Sequence, residues 1–449
     1  MNERTCRFVT LGCKVNQYDT QLVREALLEA GYREARPGER AALCVVNTCT
    51  VTDKADADGR YEIRKLLRQD PGAKIVVMGC YATRAPREVR ALPGVAAVIE
   101  HKDRMAEELA QFGVKQLPRG ISKFAGHHRA FAKVQDGCLL NCTFCIIPQV
   151  RPSLRSRPPE EIEAEVRRLV AAGFREIVLT GIHLGHYGVE FSKGRPRRDW
   201  CRLSHLIRRL TRVPGDWRLR LSSLEATELT DDLIGVLADE PCVCPHLHLC
   251  LQSGSDAVLR AMKRRYRVAG FMRRVEEIRR RIDQPALTTD VIVGFPGETD
   301  HDFEETLRVC EDVGFSKIHI FPFSPRRGTP AASMTMAISA GVVRQRKSRL
   351  QVLESRLAAR YYRSLVGRSL QVLVERPDGN QGAESHGTAC RYVPVRFTAH
   401  ASDEFQLVTL QVVEARETYV VGCREHDSLV GAARDKLSLP VLNLLPTCG

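Results

Sequence analysis

The sequence predicts an α/β fold built from an N-terminal parallel-sheet α/β domain, a central partial (β/α)6 barrel and a small C-terminal β-barrel. Up to residue 130, short apolar runs alternate with amphipathic stretches, and the alternation restarts at residue 131. Strands that alternate with helices favour parallel sheets. From residue 366 only short β-like runs remain, which is typical of a small barrel. The predicted domains are residues 1–125, 126–365 and 366–435, followed by a tail at 436–449.

The N-terminal domain contains four predicted strands and two predicted helices. The strands fall at residues 7–11, 43–48, 75–79 and 95–100, and the helices at 17–30 and 56–68. Gly31 and the run Asp70-Pro71-Gly72 supply residues that end helices. In an open parallel sheet the carboxyl ends of the strands share one edge, and ligands bind there.

The central domain repeats the strand–helix alternation. Its strands are predicted at residues 131–135, 176–180, 217–222, 246–251, 287–293 and 317–321. Its helices are predicted at residues 159–172, 203–212, 230–238, 269–282 and 302–313, with a basic helical stretch at 339–365. These units make a partial (β/α) barrel. The C-terminal strands are predicted at residues 370–375, 392–397, 405–413 and 419–422, with turn residues such as 377–380 between them.

Composition restricts the class of protein. The chain has 449 residues and a formal charge of +14, and 43% of its residues are apolar. No apolar run reaches the length of about 18 residues that suggests a membrane span, and residues 1–7 lack the apolar segment of a signal peptide. We therefore expect no membrane association and a cytoplasmic location. The positive charge favours a polyanionic partner such as RNA, although residues 366–449 carry only 8 basic against 10 acidic residues.

Three cysteines, Cys138, Cys142 and Cys145, have the spacing C-x3-C-x2-C. A closed structural zinc site needs four ligands, whereas three thiolates suit a [4Fe–4S] cluster with one iron left open. Metal binding is also the commoner role of clustered cysteines in a reducing compartment. Ten of the sixteen cysteines are interpreted as small buried or incidental residues.

A second set of three cysteines is spread along the N-terminal domain. Cys13, Cys49 and Cys80 each follow a predicted strand directly or nearly so. Because the strand ends share one edge, these thiols can converge despite their separation in sequence. The sequence therefore predicts a second [4Fe–4S] cluster with an open iron at this edge.

Several longer motifs resemble the radical S-adenosylmethionine (SAM) methylthiotransferases. The N-terminal motifs are TLGCKVN at 10–16, VNTCTVT at 46–52 and MGC at 78–80. The central motifs are QDGC at 135–138, CIIP at 145–148, HLHLCLQSGS at 246–255, DVIVGFPGET at 290–299 and FSPRRGTP at 323–330. The C-terminal part resembles a TRAM domain, a small β-barrel that binds RNA in many members. The likeness covers nearly the whole chain in the same domain order.

This resemblance implies a radical SAM barrel, two [4Fe–4S] clusters and SAM as cofactor. Cys138, Cys142 and Cys145 would ligate the cluster whose open iron binds the amino and carboxylate groups of SAM and which yields a 5′-deoxyadenosyl radical. Cys13, Cys49 and Cys80 would ligate the cluster that carries the sulfur. The partner implied for reduction is a low-potential electron donor such as flavodoxin or ferredoxin.

The resemblance also suggests residues that contact SAM, which all follow predicted barrel strands: Gly181, Gly185, Glu225, Gln252 and Ser253. Active sites of barrels lie on that edge. An ordinary turn is the alternative reading for the two glycines, and a helix-cap carboxylate is the alternative for Glu225. The chain departs from the family at Arg151-Pro152, where members often have Arg-Gly, so the backbone of this loop is expected to differ.

Three subfamilies differ in substrate. The stretches LTGIHLGHYG at 179–188 and NTCTVTDKAD at 47–56 most resemble the enzymes that modify N6-threonylcarbamoyladenosine. The favoured function is methylthiolation of carbon 2 of this nucleoside at position 37 of tRNA, giving 2-methylthio-N6-threonylcarbamoyladenosine. The partner implied is the tRNA anticodon stem-loop, and the basic excess of residues 1–365 agrees with phosphate binding.

Three alternatives stay open. One subfamily modifies N6-isopentenyladenosine in tRNA. Another modifies an aspartate of a ribosomal protein and is known for an acidic TRAM domain, which the charge balance of residues 366–449 resembles. A non-catalytic iron–sulfur protein that binds RNA or senses redox state is a different class, but two cysteine triads with open irons oppose an electron carrier.

Overall fold

The computed structural model describes residues 4–335, 337–375, 384–398, 400 and 403–424. It separates into two compact units, and the division falls after Leu357. The predicted turn at 377–380 and the predicted tail at 436–449 lie outside the described residues. In the part of the chain that is described, no helix has the length and apolar character needed to cross a membrane.

A five-stranded parallel sheet forms the first part of the larger unit. Its strands, numbered in chain order, are β1 (Thr5–Thr10), β2 (Arg33–Glu34), β3 (Leu43–Thr48), β4 (Lys74–Gly79) and β5 (Val95–Val98). Their order in the sheet is β2-β1-β3-β4-β5. All residues of β3 are buried, as expected for a central parallel strand covered on both faces.

Helices cover both faces of this sheet. They are α1 (Lys14–Glu29), α2 (Asp53–Gln69), α3 (Cys80–Arg84), α4 (Pro86–Arg90) and α5 (Met105–Ala110). Leu27 of α1 packs with Val45 on one face, and Ile63 of α2 packs with Val46 on the other. Helix α2 begins three residues earlier than predicted because the Thr52 hydroxyl accepts a hydrogen bond from the Ala55 amide at 3.1 Å.

The second part of this unit is the predicted partial barrel. Its strands are β6 (Ala130–Asp136), β7 (Arg155–Ser156), β8 (Glu176–Gly181), β9 (Arg218–Leu221), β10 (His246–His248), β11 (Ala286–Val293) and β12 (Lys317–Pro322). Two hydrogen-bonded sheets, β7-β6-β8-β9 and β10-β11-β12, are linked by parallel bridges such as Leu224 to Leu249. Six parallel strands thus follow one another, and only the short β7 is antiparallel.

The barrel helices are α6 (Ile147–Val150), α7 (Pro159–Ala171), α8 (Leu203–Leu210), α9 (Asp231–Asp239), α10 (Asp256–Ala261), α11 (Val268–Arg281) and α12 (Asp300–Val313), followed by α13 (Ala340–Arg363). Leu219 and Leu221 of β9 pack in the core that the helices share. Because side chains alternate along a strand, Arg218 and Arg220 face the opposite, concave side. The interior of the partial barrel is therefore polar.

The second unit contains a closed five-stranded barrel with the order β13-β14-β15-β17-β16. The strands are β13 (Ser369–Val374), β14 (Glu384–Ala389), β15 (Pro394–Thr398), β16 (Leu407–Ala415) and β17 (Val420–Cys423). The sequence prediction missed β14, whose polar residues and Gly387 give no strand signal by themselves. Its antiparallel pairing with β13 and β15 supplies the missing stability. The predicted α/β fold class, with its parallel-sheet domain, partial barrel and small C-terminal barrel, is confirmed.

Candidate active site

Cys13, Cys49 and Cys80 lie at the carboxyl ends of three neighbouring strands, as predicted. Cys13 precedes α1, Cys49 directly follows β3, and Cys80 is the first residue of α3. The Cys49 thiol is within electrostatic range of both Cys80 and Cys13. Three residues separated by 36 and 31 positions in sequence are thus brought to one edge of the sheet.

Glycines allow this close approach of the strand ends. Gly12 has φ of +99°, and a Cβ at this position would lie 2.8 Å from the Cβ of Cys49. Gly79 has φ of +94°, and a Cβ there would collide with the Thr48 carbonyl. The backbone around the first and third cysteines therefore requires glycine both for its left-handed conformation and for space.

Cys138, Cys142 and Cys145 lie in the loop that follows β6. The Thr143 amide donates to the carbonyl of Met262 at 3.1 Å, and the Cys145 amide donates to the carbonyl of Cys142 at 3.1 Å, so the loop is held in shape. The Cys145 thiol is within electrostatic range of the other two. This second triad is compact because the spacing of the motif is short.

Side chains from distant barrel loops contact this triad. The Nδ1 atom of His183 lies 3.2 Å from the Sγ atom of Cys138. The Nε2 atom of His183 is hydrogen-bonded to the Glu228 carboxylate. Burial lowers the pKa of His183, but the bonds to Cys138 and Glu228 outweigh it and raise the pKa to about 9. Arg264 donates to Cys142 Sγ at 3.4 Å. These three contacts were not predicted from the sequence, although His183 stands in the motif at 179–188.

The two triads are close to each other. Cys80 packs in a small apolar cluster with Ile146, which directly follows Cys145, and with Val150 of α6. Arg151, the next residue, is buried and donates from Nε to Cys80 Sγ at 3.5 Å. The loop of one triad therefore forms part of the wall around the other.

Arg151 is fixed by a network of buried charges. Its Nη1 atom donates to both carboxylate oxygens of Asp136, at 2.7 and 2.8 Å, and its Nη2 atom donates to Asn16 at 2.8 Å. Burial raises the pKa of Asp136, but Lys133, Lys102 and Arg151 outweigh it and hold the pKa well below its ordinary value. These bonds determine the position of the Arg151-Pro152 segment, where the chain departs from the family pattern.

A second arginine joins the end of the barrel to the loop after Cys49. Arg326 is buried, donates to the Thr50 hydroxyl at 3.0 Å and pairs with Asp56 of α2. This contact holds the strand end that carries Cys49 against the barrel.

The donor sets fit iron–sulfur clusters better than zinc. None of the six cysteines forms a disulfide. Among the described residues, no group of three metal-binding side chains within 4.8 Å of one another includes any of them. Thiolates around one tetrahedral zinc lie about 3.8 Å apart, given a Zn–S bond of about 2.3 Å, whereas thiolates of a [4Fe–4S] cluster bind different irons and are more widely spaced. The N–H donors to sulfur from Arg151 and Arg264 are also of the kind that stabilise bound thiolates.

Without a metal, the buried thiols of Cys49 and Cys145 are poor nucleophiles. Burial raises the pKa of the Cys49 thiol to about 11 and that of Cys145 to about 12. The thiolate is the reactive and metal-binding form, so metal binding must displace a proton from each. Cys49 and Cys145 are therefore suited to holding a metal and unsuited to covalent catalysis by a free thiolate.

Of the predicted SAM-contacting residues, Gly181 is the last residue of β8, and the other four lie on loops that follow barrel strands. A Cβ at Gly181 would lie 3.0 Å from the Gln135 side chain, and one at Gly185 would collide with Glu228. Glu225 is buried, begins the short helical turn before Glu228 and pairs with Arg264 at 3.0 Å. The alternative interpretation of Glu225 as a helix-cap residue thus agrees with its position. Glu225 also pairs with Arg264, the residue that donates to Cys142.

The remaining two candidates follow β10. Gln252 has φ of +62°, an uncommon conformation for a residue other than glycine. Its amide donates to the Asp290 carbonyl at 2.8 Å. The Ser253 hydroxyl is fully buried, lies 3.3 Å from the Thr306 hydroxyl and accepts from the Ser255 amide at 3.2 Å. These bonds shape the loop at the barrel edge.

The fold and the paired cysteine triads define a radical SAM protein. Residues 133–310 match the model of the Radical SAM superfamily, and residues 5–100 match the uncharacterized protein family UPF0004. The structure of the radical SAM methyltransferase TsrM from Kitasatospora setae, with cobalamin and a [4Fe–4S] cluster bound, superposes with a TM-score of 0.54 at 14% identity. It covers 73% of this chain and 77% of that one.

Two relatives narrow the class. The chain is 38% identical to "Threonylcarbamoyladenosine tRNA methylthiotransferase MtaB" of Bacillus subtilis, over 93% of this chain and 96% of the relative. It is 35% identical to "tRNA-2-methylthio-N(6)-dimethylallyladenosine synthase" of Corynebacterium urealyticum, over 93% of this chain and 82% of the relative. The chain belongs to the radical SAM tRNA methylthiotransferase family. It is a transferase, and SAM and [4Fe–4S] clusters are its cofactors.

Proposed function

We propose that the enzyme methylthiolates carbon 2 of N6-threonylcarbamoyladenosine at position 37 of tRNA, giving 2-methylthio-N6-threonylcarbamoyladenosine. The observation that carries the proposal is the packing of Cys80, from one triad, against Ile146 and Val150, which follow the other. A reaction that both activates a C–H bond and inserts sulfur needs two reactive groups facing one substrate. Neighbouring triads with three thiols each meet that need.

The six cysteines form two sets of three, each of which holds one cluster with its own role in the reaction. Cys138, Cys142 and Cys145 ligate the cluster that binds SAM, and Cys13, Cys49 and Cys80 ligate the cluster that holds the sulfur. When bound, these groups supply the hydrogen-abstracting radical and the methylated sulfur, which is the chemistry the protein itself cannot perform. The protein binds and orients them, so its own contribution is geometric and electrostatic.

Charged side chains beside the triads serve this orientation. Arg264 lies between Cys142 and Glu225, at 3.4 and 3.0 Å, and connects the radical-generating cluster to a predicted SAM contact. His183 fixes Cys138 from the glycine turn that includes Gly181 and Gly185. Gly181, Gly185, Glu225, Gln252 and Ser253 are proposed to surround SAM, with Glu225 the side chain best placed to bind it.

The substrate assignment rests on the relatives and on local sequence. The relative from Bacillus subtilis, whose name gives threonylcarbamoyladenosine, aligns over 96% of its length, against 82% for the relative named for dimethylallyladenosine. The stretch at 179–188, which carries His183, resembles the threonylcarbamoyladenosine enzymes. We propose the tRNA anticodon stem-loop and a low-potential electron donor as partners, acting in the cytoplasm where tRNA is modified.

Mass spectrometry of tRNA nucleosides from a strain that lacks the gene tests this assignment. We expect 2-methylthio-N6-threonylcarbamoyladenosine to disappear, its unmethylthiolated precursor to accumulate, and a plasmid copy of the gene to reverse both changes. Loss of 2-methylthio-N6-isopentenyladenosine instead would transfer the assignment to the alternative tRNA substrate. Unchanged tRNA nucleosides together with loss of methylthio-aspartate from a ribosomal protein would support the protein-modifying alternative.

A further inference from the structure

A groove between two helices of the barrel begins beside the proposed SAM site. This α9–α11 groove has a volume of about 990 Å³ and lies between the start of α9 and one face of α11. One end is lined by Thr227, two residues after Glu225, and by Arg265, which directly follows Arg264. Arg264 donates to Cys142 at 3.4 Å and pairs with Glu225 at 3.0 Å. This end of the groove therefore adjoins the radical-generating site.

The course of α11 carries the groove away from the active site. This helix leads from the loops at the carboxyl edge of the barrel back to the start of β11, so its first residues lie on the side of the active site. It has 14 residues, Val268–Arg281, and is about 20 Å long at about 1.5 Å per residue. Arg267 stands just before the helix and Arg280 stands near its far end, and both line the groove. A chain that leaves the active site can therefore continue along α11.

The walls of the groove are rich in arginine. Six arginines line it against three acids, and they are Arg265, Arg267, Arg273, Arg274, Arg280 and Arg281. One of the acids, Asp231, pairs with Arg274 at 2.8 Å. Another, Glu277, is shared by two arginines, Arg280 and Arg281, at 2.6 Å each. The groove thus has more cations than its own acids can pair.

Two of these arginines lack an anionic partner in the part of the chain that the structure describes. Arg265 and Arg273 are both exposed, and neither makes an ion pair or a hydrogen bond there. Arg273 stands four residues before Glu277, which is the spacing of a favourable helical pair. Glu277 is instead engaged by the two arginines that follow it. The guanidinium groups of Arg265 and Arg273 are therefore available to an anion in the groove.

The floor of the groove contains a glycine that the helix does not require. Gly270 lies in the first turn of α11, and its φ is not in the left-handed region. A Cβ at this position would approach only the flexible Arg273 side chain, at 3.9 Å. Glycine is also less favourable than alanine within a helix. Its effect here is to keep the floor open between Arg267 and Arg273, so that a ligand backbone can approach the helix.

An RNA strand has the matching chemistry. Phosphates recur at short, regular intervals along the strand, and each carries a negative charge. The planar fork of donors of an arginine is suited to phosphate, and arginines placed along one helix fit a linear series of such charges. Nucleotide 37 must enter the active site, so the phosphates next to it lie where the groove begins. A folded acidic protein would meet only the rims of a groove between two helices, whereas a strand can lie on its floor beside Gly270.

We propose that the α9–α11 groove binds phosphates of the tRNA anticodon stem next to nucleotide 37, with Arg265 and Arg273 as the main contacts and Gly270 as the floor. The inference rests on the proposed function for its substrate and adds the surface along which that substrate lies. Contacts to phosphate position a nucleic acid without reading its sequence. The groove therefore holds the stem in place while the active site recognises the modified base.

The test measures binding of an anticodon stem-loop RNA to the reconstituted full-length protein at several salt concentrations, under anaerobic conditions. For Arg265→Gln/Arg273→Gln we expect an affinity about tenfold lower and a salt dependence whose slope is smaller by about 1.5, because two phosphate contacts are lost. The control Arg64→Gln/Arg68→Gln removes the same charge from two exposed positions near the far end of α2 and should bind as the wild type. Equal affinities of the two double variants would overturn the proposal.

A variant that keeps every charge gives a second readout. Gly270→Leu places a side chain on the floor of the groove, and leucine favours the helix, so the protein should fold. We expect its affinity for the stem-loop to fall to about that of the arginine double variant. The matched control is Gly341→Leu in α13, where a Cβ would approach only Ser339 Oγ, at 3.9 Å. Wild-type affinity of Gly270→Leu would show that no strand lies on the floor and would contradict the proposal.

Three comparisons separate the possible failures. Iron content and melting temperature verify that each variant is loaded and folded. If the arginine double variant binds RNA normally but is reduced more slowly by flavodoxin, the groove belongs to an acidic electron donor and the proposal is overturned. If the wild-type protein does not methylthiolate a stem-loop that carries N6-threonylcarbamoyladenosine, while the double variant still binds RNA more weakly, the proposed function fails and the groove stands. If methylthiolation occurs and the double variant binds normally, only the role of the groove fails.

Discussion

The guanidinium group of Arg151 donates to Cys80 Sγ at 3.5 Å and to the Asp136 carboxylate at 2.7 Å. Cys80 belongs to the triad at the edge of the N-terminal sheet, and Asp136 lies two residues before Cys138 of the other triad. One buried cation therefore connects the two proposed cluster sites. Its charge is balanced within the protein by Asp136 and Asp19, which it approaches at 3.5 Å.

Replacing Arg151 by Met should destabilise the larger unit. Asp19 and Asp136 would keep Lys102 and Lys133 as cationic partners, and removal of one member of a buried ionic network costs about 3 kcal/mol. We expect the melting temperature measured by calorimetry to fall by several degrees. The exposed Arg155, at the start of β7, serves as control, since its surface pair with Asp103 should contribute about 1 kcal/mol or less. Equal effects of Arg151→Met and Arg155→Met would contradict the role of the buried network.

Cys49→Ala should separate cleavage of SAM from methylthiolation of the substrate. Loss of one ligand of the sulfur-carrying cluster should reduce the iron content from about eight to about four atoms per chain. Formation of 5′-deoxyadenosine from SAM should persist, and methylthiolation should be lost. Cys44, buried on β3, the strand that Cys49 follows, provides the control, and Cys44→Ala should retain both activities. A folded Cys49→Ala protein that loses both activities equally would show that the division of labour is wrong.

Gly12→Ala tests the space between Cys13 and Cys49. The new Cβ would lie 2.8 Å from Cys49 Cβ, so we expect iron to be lost from the N-terminal site. Gly31 has a similar φ of +86°, but a Cβ added there would have no other atom within 4 Å. Gly31→Ala should therefore cost about 1–2 kcal/mol of backbone strain while leaving iron content at the wild-type value. A Gly12→Ala protein with full iron content would refute the packing argument.

Glu176→Gln tests the cationic interior of the barrel. Burial raises the pKa of Glu176, but Arg220 and Arg218 outweigh it and hold the pKa far below its ordinary value. A depressed pKa in the folded state means that the carboxylate stabilises the protein above about pH 4.3, its unfolded pKa. This stabilisation is lost as the pH falls toward the folded pKa.

The melting temperature of Glu176→Gln should accordingly be well below that of the wild type at pH 7, with a gap that narrows below about pH 4. Breaking a buried pair of this kind costs about 3–5 kcal/mol. Fluorescence of the buried Trp217, which precedes β9, reports the transition. The exposed Glu107 gives the control Glu107→Gln. A gap that is absent at pH 7, or that widens in acid, would argue against this account.

The sequence predicted the general fold and the positions of the two triads for identifiable reasons. Strand ends of a parallel sheet share one edge, so three strands followed by Cys13, Cys49 and Cys80 were sufficient to expect convergence. The short spacing from Cys138 to Cys145 is a local feature that needs no tertiary information. Both predictions depend on rules of chain geometry.

The contacts around the triads could not be predicted in the same way. His183 meets Cys138 across 45 residues, and Arg264 meets Cys142 across 122 residues. The sequence around His183 or Arg264 does not indicate which cysteine each will contact, because these contacts depend on how separate loops pack together. The strand β14 was missed for a related reason, since its stability comes from pairing with neighbours and not from its own residues.

The central claim is that two clusters, held by the two triads, insert a methylthio group into N6-threonylcarbamoyladenosine. The most direct test is anaerobic incubation of the reconstituted protein with SAM, dithionite, sulfide and an anticodon stem-loop that carries this nucleoside, followed by mass spectrometry. The account predicts both 5′-deoxyadenosine and 2-methylthio-N6-threonylcarbamoyladenosine, with far less product from a stem-loop that carries N6-isopentenyladenosine. Formation of 5′-deoxyadenosine without the methylthiolated product, or preference for the isopentenyl stem-loop, would contradict it.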